Sequence, residues 1–202
     1  MTGSLVNIVG GEDYIATANG NRFTAAVGGA GQTLVAVNLF STAIATFQPI
    51  LCLYNPIANK NNLAVRRLWG GVTGDPASAT ATGALLLVVG SGQTISNATA
   101  TGATNNNVIG SATTATGIIV LNATLTGAAG NAVYLRPMQS SIIPTAEGGT
   151  ATPVSGSVLM EHVGGSIILP PGAYLAVANG ISNTTGIVVA GIEWNEIPIV
   201  KS

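Results

Sequence analysis

Short apolar runs separated by glycine and polar turn residues recur along most of this chain. Thr33–Phe40 (TLVAVNLF), Pro49–Tyr54 (PILCLY) and Ala84–Val89 (ALLLVV) are rich in aliphatic and β-branched side chains. Ala84–Val89 is apolar throughout, as expected for a strand that is covered on both faces. No convincing amphipathic helix accompanies these runs. Short strands between frequent turns are typical of an all-β sandwich or barrel, so the pattern predicts an all-β chain.

Further runs of the same kind raise the number of predicted strands to between about eight and ten. A jelly roll has about eight strands, which two Greek keys divide between two sheets. We therefore expect residues 31–202 to form a jelly-roll β-sandwich of about eight antiparallel strands. The further predicted strands are Leu63–Trp69, Ile118–Leu121, Ala132–Leu135, Val158–Glu161, Ile167–Leu169, Ala173–Ala178 and Ile187–Ile197.

Residues 1–30 are predicted to form an N-terminal arm or hairpin. Tyr14–Ala18 and Arg22–Val27 flank the dipeptide Asn19-Gly20. Asn-Gly is a strong hairpin signal, because both central residues of a type I′ turn need a positive φ. We expect a first hairpin here, either as a separate arm or as part of the sandwich.

A polar segment at about residues 96–116 has little core character. From Asn97 to Thr116 (NATATGATNNNVIGSATTAT) there is no charged and no aromatic residue, and large apolar residues are few. Such a composition contributes little to a hydrophobic core. The sequence predicts a long exposed loop or a polar arm within the jelly-roll domain.

The clearest turn signal lies near the C-terminus. In Pro170-Pro171-Gly172-Ala173, Pro171 stands where φ is preset near about −65° and Gly172 stands where φ must be positive. These preferences favour a type II turn. In the strand Ala173–Ala178 that follows, both faces are apolar, which indicates a central strand or a strand against a neighbouring subunit.

Two acidic residues flank Trp194 in the stretch EWNE. Catalytic acid and base groups have to converge on one substrate. Glu193 and Glu196 are an odd number of residues apart, so in a regular strand they point to opposite faces. Unless a bulge intervenes, they do not form a catalytic pair. Trp194 is interpreted as the end of a core row, with a ring that stacks on a glycan as the alternative. The other members of that row are Val188, Ala190 and Ile192.

Charge is scarce in this chain. Only 6% of the 202 residues are charged and the formal net charge is −1, whereas soluble domains usually carry about 25% charged residues. Although 47% of the residues are apolar, no run approaches the roughly eighteen residues that would span a bilayer. A weakly charged, apolar surface favours association, so we expect copies of the chain or partners to cover much of it, and we expect no membrane insertion.

Reactive side chains are few and match no catalytic motif. Cys52 and His162 are the sole cysteine and histidine, and Asp13 and Asp75 are the only aspartates. A metal site needs a cluster of histidine, cysteine or carboxylate ligands, and a nucleophilic triad needs a base with an orienting acid. Cys52 is predicted to be a buried apolar residue. The sequence therefore predicts no enzyme, no catalytic or metal-binding residue and no cofactor.

The basic residues indicate subunit contacts rather than nucleic-acid binding. Lys60, Arg66 and Arg67 form the only local basic concentration, which is too small for strong phosphate binding. In a regular strand Arg66 and Arg67 alternate, so one of them would face a buried or subunit surface and need an acidic partner. Ion pairs at subunit seams would set register and specificity. The candidate subunit-interface residues are Arg66, Arg67, Trp69, Arg136, Glu161, Glu193, Trp194 and Glu196.

Two segments of the sequence resemble small structural proteins of tailed bacteriophages. The first, within Gln48–Val72, contains LYNP, a polar turn and LAVRRLWGGV; the second, within Gly164–Pro198, contains GGSIILPPGAYLAVAN and TTGIVVAGIEWNEIP. The resemblance implies a jelly roll that forms trimers on a virion, either as a capsid decoration (cement) protein or as part of a fibre or tail. A fold does not fix a function, and the resemblance assigns no role to any residue.

The leading hypothesis is a capsid decoration protein, assembled in the host cytoplasm, whose homotrimers clamp subunits of the major capsid protein on the virion surface. Neutral polar strands allow interfaces without desolvated charge, and symmetry would multiply weak contacts. The alternative is a tail or fibre component whose jelly-roll knob binds a host surface glycan through exposed loops. An enzyme such as a glycan hydrolase would need two converging carboxylates, which no motif groups here.

Overall fold

β-strands account for most of the chain that the computed structural model describes, which comprises residues 11–27, 46–47, 49–73, 82–92, 94–96, 99–101, 104–105, 114–121, 124–126, 132–142, 159–179 and 187–199. The described elements are the helix α1 (Gly11–Ala18) and strands β1 (Arg22–Val27), β2 (Thr46–Phe47), β3 (Leu51–Tyr54), β4 (Asn61–Thr73), β5 (Thr82–Ser91), β6 (Thr94–Ser96), β7 (Thr99–Thr101), β8 (Thr104–Asn105), β9 (Ile118–Leu121), β10 (Thr124–Thr126), β11 (Ala132–Ile142), β12 (Leu159–Leu169), β13 (Ala173–Asn179) and β14 (Ile187–Pro198). The prediction of an all-β chain is confirmed.

Two antiparallel sheets form the frame of the fold. The first sheet has the order β12-β4-β14-β1-β8 and the second has the order β11-β5-β13-β3-β9-β7. Strands β2, β10 and β6 make a small third sheet. In the first sheet, β14 lies between β4 and β1, which precede it by most of the length of the chain. The C-terminal strand is therefore central in its sheet.

The main hydrophobic core lies between the two large sheets. The first sheet contributes Val65, Leu68 and Ile192, and the second contributes Leu85 and Leu175, all of them fully buried. Alternate residues along each strand point inward, as the pleat of a strand requires. Burial of these aliphatic side chains is the main favourable term in the stability of the sandwich.

A second buried cluster lies on the outer face of the second sheet. Cys52, Val88, Tyr174 and Ala176 belong to it, and each is at most 1% exposed. Strand β13 is hydrogen-bonded to β5 on one side and to β3 on the other, and Ala173–Ala178 are all buried. The apolar character of both faces thus reflects a central strand, as one of the two interpretations predicted. Burial raises the pKa of the Cys52 thiol above its ordinary value, which fits the predicted buried cysteine.

The predicted hairpin at Asn19-Gly20 is wrong, because the residues before it form α1. The amide of Asn21 donates to the carbonyl oxygen of Ala16 at 2.8 Å, and the amide of Gly20 donates to that of Thr17 at 3.1 Å. Gly20 has a φ of 75°. These are the two hydrogen bonds and the left-handed glycine of a Schellman helix end. The positive φ that suggested a hairpin turn instead terminates a helix.

The predicted type II turn at Pro170–Ala173 is confirmed. The amide of Ala173 donates to the carbonyl oxygen of Pro170 at 3.0 Å, and Gly172 has a φ of 85°. This turn joins β12 of the first sheet to β13 of the second. It therefore carries the chain from one layer of the sandwich to the other.

The polar segment from Asn97 to Thr116, predicted to be a loop or a polar arm, contains two short strands, and its residues 97–98, 102–103 and 106–113 lie outside the described part of the structure. Thr99–Thr101 pairs with β9, and Thr104–Asn105 pairs with β1. Threonine is β-branched and favours strands even where little apolar area is buried. The predicted strand Thr33–Phe40 lies outside the described residues.

Candidate functional site on strand β14

Glu193 lies on the outer face of the first sheet, between two arginines from the flanking strands. Its Oε1 pairs with Nη2 of Arg22 on β1, and its Oε2 lies 3.8 Å from Nη1 of Arg67 on β4. The side chains of Glu193 and Arg22 are 6% and 11% exposed, whereas that of Arg67 is 39% exposed. The predicted acidic partner of an arginine is thus present, but within one chain. The arrangement holds three neighbouring strands together across their outer face.

Arg66 and Arg67 do not alternate as predicted, because a β-bulge intervenes between β4 and β14. Val65 is opposite Trp194 and Arg67 is opposite Glu193, so two steps along β4 match one step along β14. Paired residues share a face, which places Arg67 outside with Glu193. Arg66 also lies at the outer surface, where its Nη1 donates to the carbonyl oxygen of Gly164 at 2.9 Å. Neither arginine reaches the core.

Glu196 lies on the inner face of the same strand and accepts hydrogen bonds from three elements of its own chain. Its Oε1 accepts from the amides of Thr116 and Gly117 at 2.7 and 2.9 Å and from Trp194 Nε1 at 3.4 Å. Its Oε2 accepts from Thr116 Oγ1 at 2.5 Å and from Asn61 Nδ2 at 3.4 Å. Glu196 is 6% exposed. The carboxylate joins the end of the first sheet to the loop that enters β9 of the second.

Asn55 connects this polar cluster to the turn between β12 and β13, and the sequence analysis did not identify it. It is fully buried, and its Nδ2 donates to the carbonyl oxygens of Asn61 at 2.9 Å and Leu169 at 2.8 Å. Its Oδ1 accepts from Asn59 Nδ2 at 2.6 Å, and Asn59 also donates to Thr116 Oγ1. The available signal was an asparagine directly before Pro56 at the end of an apolar strand, a position favoured for side-chain bonds to nearby backbone.

The two tryptophans have different positions. Trp194 is fully buried and stacks on Phe23, with ring centroids 5.8 Å apart. Trp69 is partly exposed on the outer face, and its indole lies over Gly191, where a Cβ would come within 2.0 Å of the ring. Trp194 is therefore a core residue, as the first interpretation stated. It has no surface to offer a neighbouring subunit, and neither has the carboxylate of Glu196, so their place among the interface candidates is corrected.

The remaining candidates lie on strands at the edges of the two large sheets. Glu161 is partly exposed on β12 and His162, beside it, is exposed opposite Arg67. Arg136 lies in β11, and its side chain is outside the described part of the structure. The fold brings the candidates Arg67 and Glu193 together, along with Arg22, which the sequence analysis did not select.

An apolar row crosses the outer face beside these charges. Met160 on β12, Trp69 on β4, Gly191 on β14 and Ala26 on β1 are successive partners in the sheet. Met160 is 58% exposed, and Ala26 is also exposed. We call these four residues the Trp69 row. The row carries no charge, and tryptophan and methionine are enriched at the centres of protein interfaces.

A groove lies between α1 and the outer face of the first sheet. Its volume is about 310 Å³, and its lining includes Ile15, Ala64, Asn195, Ile197 and Pro198. Asn195 is 5% exposed, and its Oδ1 accepts no hydrogen bond from the described residues. We call this feature the α1 groove. A buried acceptor without a donor is uncommon in native proteins.

The potential metal ligands among the described residues do not cluster. No group of three or more His, Cys, Asp or Glu side chains in these stretches could bind a metal ion. Glu193 and Glu196 point to opposite faces of β14, as predicted, because the extra residue of the bulge is Arg66 on β4 and β14 itself alternates regularly from Glu193 to Glu196. Within the same stretches, no helix has the length and apolar character needed to cross a membrane.

No protein family, curated protein or solved structure matches this chain.

Proposed function

We propose that the sandwich is a jelly roll and that the chain is a virion structural protein, a capsid decoration (cement) protein whose homotrimers clamp subunits of the major capsid protein. Support for the fold comes from the order of the strands. Eight strands, numbered one to eight along the chain, are β1, β3, β4, β5, β11, β12, β13 and β14.

In this numbering the sheets contain the hydrogen-bonded pairs one–eight, two–seven, three–six and four–five. Nested pairing of this kind is what results when one long antiparallel ribbon is wrapped into two sheets. That wrapping is the topology of a jelly roll. The short strands β7, β8 and β9 extend the sheets at their edges.

The observation that carries the function is the contrast between the acidic residues of β14 and the Trp69 row. The acidic groups on this strand bind partners within the chain, while the Trp69 row beside them presents an uncharged, partly exposed surface. A protein that acts through contact area needs such a surface and no reactive group. Charge scarcity supports the same conclusion, since 6% charged residues leave few groups to desolvate at an interface.

The segments that resemble phage structural proteins supply further support, because they are joined in space. The side chain of Asn55, in the first segment, donates a hydrogen bond to the carbonyl oxygen of Leu169 in the second. The carbonyl oxygen of Asn55 accepts a hydrogen bond from the amide of Gly172, also in the second segment. Together the segments supply β3, β4, β13, β14 and part of β12. The resemblance thus covers neighbouring strands in both sheets rather than scattered pieces.

The experiment that tests this function is a density map of the intact particle into which the sandwich is fitted. A copy number close to that of the major capsid protein, with sandwiches in threes on the outer shell, is the expected result. A few copies at a tail vertex, or none in the particle, would contradict it. Release of packaged DNA at a lower temperature from particles that lack the protein is the expected functional counterpart.

The alternative, a tail or fibre knob that binds host glycan, is favoured by one observation. The indole of Trp69 lies against Gly191 and is partly exposed, and aromatic rings of this kind can pack on the apolar faces of sugars. Binding of the purified chain to a glycan array, lost in Trp69→Ala, would support this alternative. Shell binding that persists without any glycan signal would exclude it.

A further inference from the structure

Arg67 carries a positive charge that its neighbours on the sheet do not neutralise. The carboxylate of Glu193 lies between Arg67 and Arg22, and it pairs more closely with Arg22, the less exposed of the two. Nη1 of Arg67 lies 3.8 Å from Glu193 Oε2, which is too long for a hydrogen bond. Two guanidinium groups and one carboxylate leave one net positive charge. It resides on Arg67, whose side chain is 39% exposed.

The guanidinium of Arg67 retains its capacity to donate hydrogen bonds. None of the described residues accepts a hydrogen bond from it. A guanidinium presents five N–H donors in a planar fork, and two of them match the two oxygens of a carboxylate. In the free chain water solvates this fork. A carboxylate on a partner can replace that water and form a bidentate ion pair.

Exposed apolar side chains lie beside Arg67 on the same face of the sheet. Trp69 follows Arg67 by two residues along β4, so both point outward. On β12, His162 is opposite Arg67 and Met160 is opposite Trp69. Opposite residues lie about 5 Å apart, and residues two apart on one strand lie about 7 Å apart. Met160 is 58% exposed and His162 is also exposed. We call these four residues the Arg67 patch.

Positive charge prevails around this patch. Arg66 also lies at the outer surface, where it donates to the carbonyl oxygen of Gly164. Glu161, next to His162 in the sequence, is opposite the core residue Leu68 and therefore belongs to the other face. The described charges on the outer face are thus mainly arginines, although the chain as a whole has a net charge of −1. Electrostatic complementarity then requires an acidic group on the partner.

The hydrogen-bonding chemistry of the patch favours a carboxylate over a saccharide. The side chains of Arg67 and Trp69 can only donate, and a carboxylate can only accept. Sugar hydroxyls also donate and need acceptors, whereas the carboxylate of Glu193, on the same face, already pairs with Arg22. Arginine, tryptophan and methionine are enriched in protein interfaces, and arginine and tryptophan are frequent hot spots. The preferred occupant is therefore a protein surface with an exposed carboxylate.

The second sheet offers no equivalent surface at its centre. On its outer face, Cys52, Val88, Tyr174 and Ala176 are each at most 1% exposed. The chain itself has therefore already covered these side chains, and a partner cannot reach them. Of the two outer faces, it is that of the first sheet whose central strands present partly exposed side chains, Arg67 and Trp69.

We propose that the Arg67 patch is the contact through which the sandwich binds the major capsid protein. The capsid surface presents an aspartate or glutamate to Arg67, beside an apolar side chain that packs on Trp69 and Met160. This inference rests on the proposed function and adds the orientation of the molecule and the chemistry of the contact. The outer face of the first sheet is turned toward the shell, and the second sheet is turned away from it.

Binding of the full-length chain to particles that lack it tests the charged part of the contact. Arg67→Met is expected to weaken binding roughly tenfold or more. The matched control is Lys60→Met, which removes the same charge from an exposed position on the loop between β3 and β4 and should leave binding unchanged. The affinity of the unsubstituted chain should fall as salt is added, and that of Arg67→Met should fall less, because salt screens the ion pair.

A second pair of variants tests the apolar part of the contact. Met160→Ser is expected to weaken binding roughly fivefold, because it removes apolar area that the partner covers. Ile57→Ser is the control, since Ile57 is 76% exposed on the loop between β3 and β4 and lies outside the patch. Thermal unfolding of every variant at the temperature of the unsubstituted chain shows that the fold is retained.

Carbodiimide cross-linking identifies the group that Arg67 contacts. Arg67→Lys supplies an amine, which a carbodiimide joins to a nearby carboxylate as an amide, while the carbodiimide takes up the water that is lost and becomes a urea. The expected product is a peptide containing the substituted position joined to an aspartate or glutamate of the major capsid protein. Lys60 and Lys201, the chain's own lysines, give the background in the unsubstituted chain.

The other outcomes separate this inference from the proposed function. If the unsubstituted chain does not bind the particles, both are wrong. If it binds and Arg67→Met binds as tightly as Lys60→Met, the function stands and the Arg67 patch is not the contact. A cross-link to a second copy of the chain contradicts the inference, because the patch is then a subunit interface. Glycan binding that Arg67→Met abolishes, with particle binding unchanged, contradicts it as well.

A density map of the particle provides an independent check. The outer face of the first sheet is expected against the shell, with an acidic side chain of the major capsid protein at Arg67. A sandwich on the shell whose Arg67 patch faces solvent would overturn the inference and leave the proposed function intact.

Discussion

The two faces of strand β14 differ in burial and in the way their polar groups are paired. On the inner face, Trp194 and Glu196 are buried and every oxygen of the carboxylate has donors. On the outer face, Gly191 leaves room for an indole, Glu193 pairs with arginines of which one is partly exposed, and Asn195 Oδ1 accepts no hydrogen bond from the described residues. The inner face is buried and fully paired, whereas the outer face carries the partly exposed Trp69 and Arg67.

The largest expected effect of a single substitution is at Trp194. Trp194→Ala removes a fully buried ring that stacks on Phe23, and loss of such a side chain costs about 3–5 kcal/mol of unfolding free energy. Urea unfolding of the variant checks this. Trp69→Ala, on the outer face, is the control and is expected to cost much less. Equal losses would mean that the outer face contributes to the fold as strongly as the inner face.

Glu196→Leu is expected to lower the free energy of unfolding by about 2–3 kcal/mol, since it leaves the amides of Thr116 and Gly117 without their acceptor. Glu196→Gln keeps one accepting oxygen, so its loss should be about half as large. Chemical denaturation and amide hydrogen exchange at Thr116 and Gly117 measure both effects. Unchanged exchange in Glu196→Leu would show that the carboxylate does not hold this loop.

Gly191→Ala tests the outer face directly. A Cβ at this position would lie within 2.0–2.5 Å of atoms of the Trp69 indole, so the ring has to move, at a cost of about 1–2 kcal/mol. In a Trp69→Ala background the same substitution should be close to neutral, because no ring remains to clash. A double-mutant cycle measures the difference. If the two effects were additive, the packing of Trp69 on Gly191 would be absent in solution.

The smallest expected effect is at Arg67. Its Nη1 lies 3.8 Å from Glu193 Oε2 and its side chain is 39% exposed, and ion pairs of this kind contribute under about 1 kcal/mol. Arg67→Met should therefore change the midpoint of urea unfolding only slightly. Arg22→Met, which removes the more buried partner of Glu193, should cost more, because it leaves a carboxylate with little solvent. A larger loss of stability in Arg67→Met than in Arg22→Met would mean that Arg67 is the stronger partner of Glu193.

The fold class and part of this site could be predicted because they depend on local pattern. Alternation placed Glu193 and Glu196 on opposite faces, and turn chemistry identified Pro170–Ala173. The bulge at Arg66 was missed, although the inward residues Leu63, Val65 and Leu68 are spaced by two and then three positions, which marks an extra residue. The Asn55 cluster could not be derived, because its partners Asn61, Leu169 and Asn59 converge only after both sheets have formed.

The Asn19-Gly20 error has a similar cause. A left-handed glycine is required both by a type I′ turn and by the end of a helix, so the dipeptide alone does not distinguish them. The two structures are distinguished by the carbonyl oxygens of Ala16 and Thr17, one turn earlier along the chain, which accept hydrogen bonds from the amides of Asn21 and Gly20. A helix of this length is too short to show a long apolar repeat. Whether it forms depends on the hydrogen bonds at its ends and on its packing against the sheet.

The central position of β14 has a consequence for the order of events during synthesis. Arg22 and Glu193 are 171 positions apart and yet belong to adjacent strands, which gives the chain a high contact order and predicts slow folding. While a ribosome is still producing the chain, β1 and β4 have no strand between them. The Trp69 row and the α1 groove, both of which include residues of β14, come into existence only when this strand has been released. Copies of the chain therefore cannot associate through these surfaces before translation has passed Pro198.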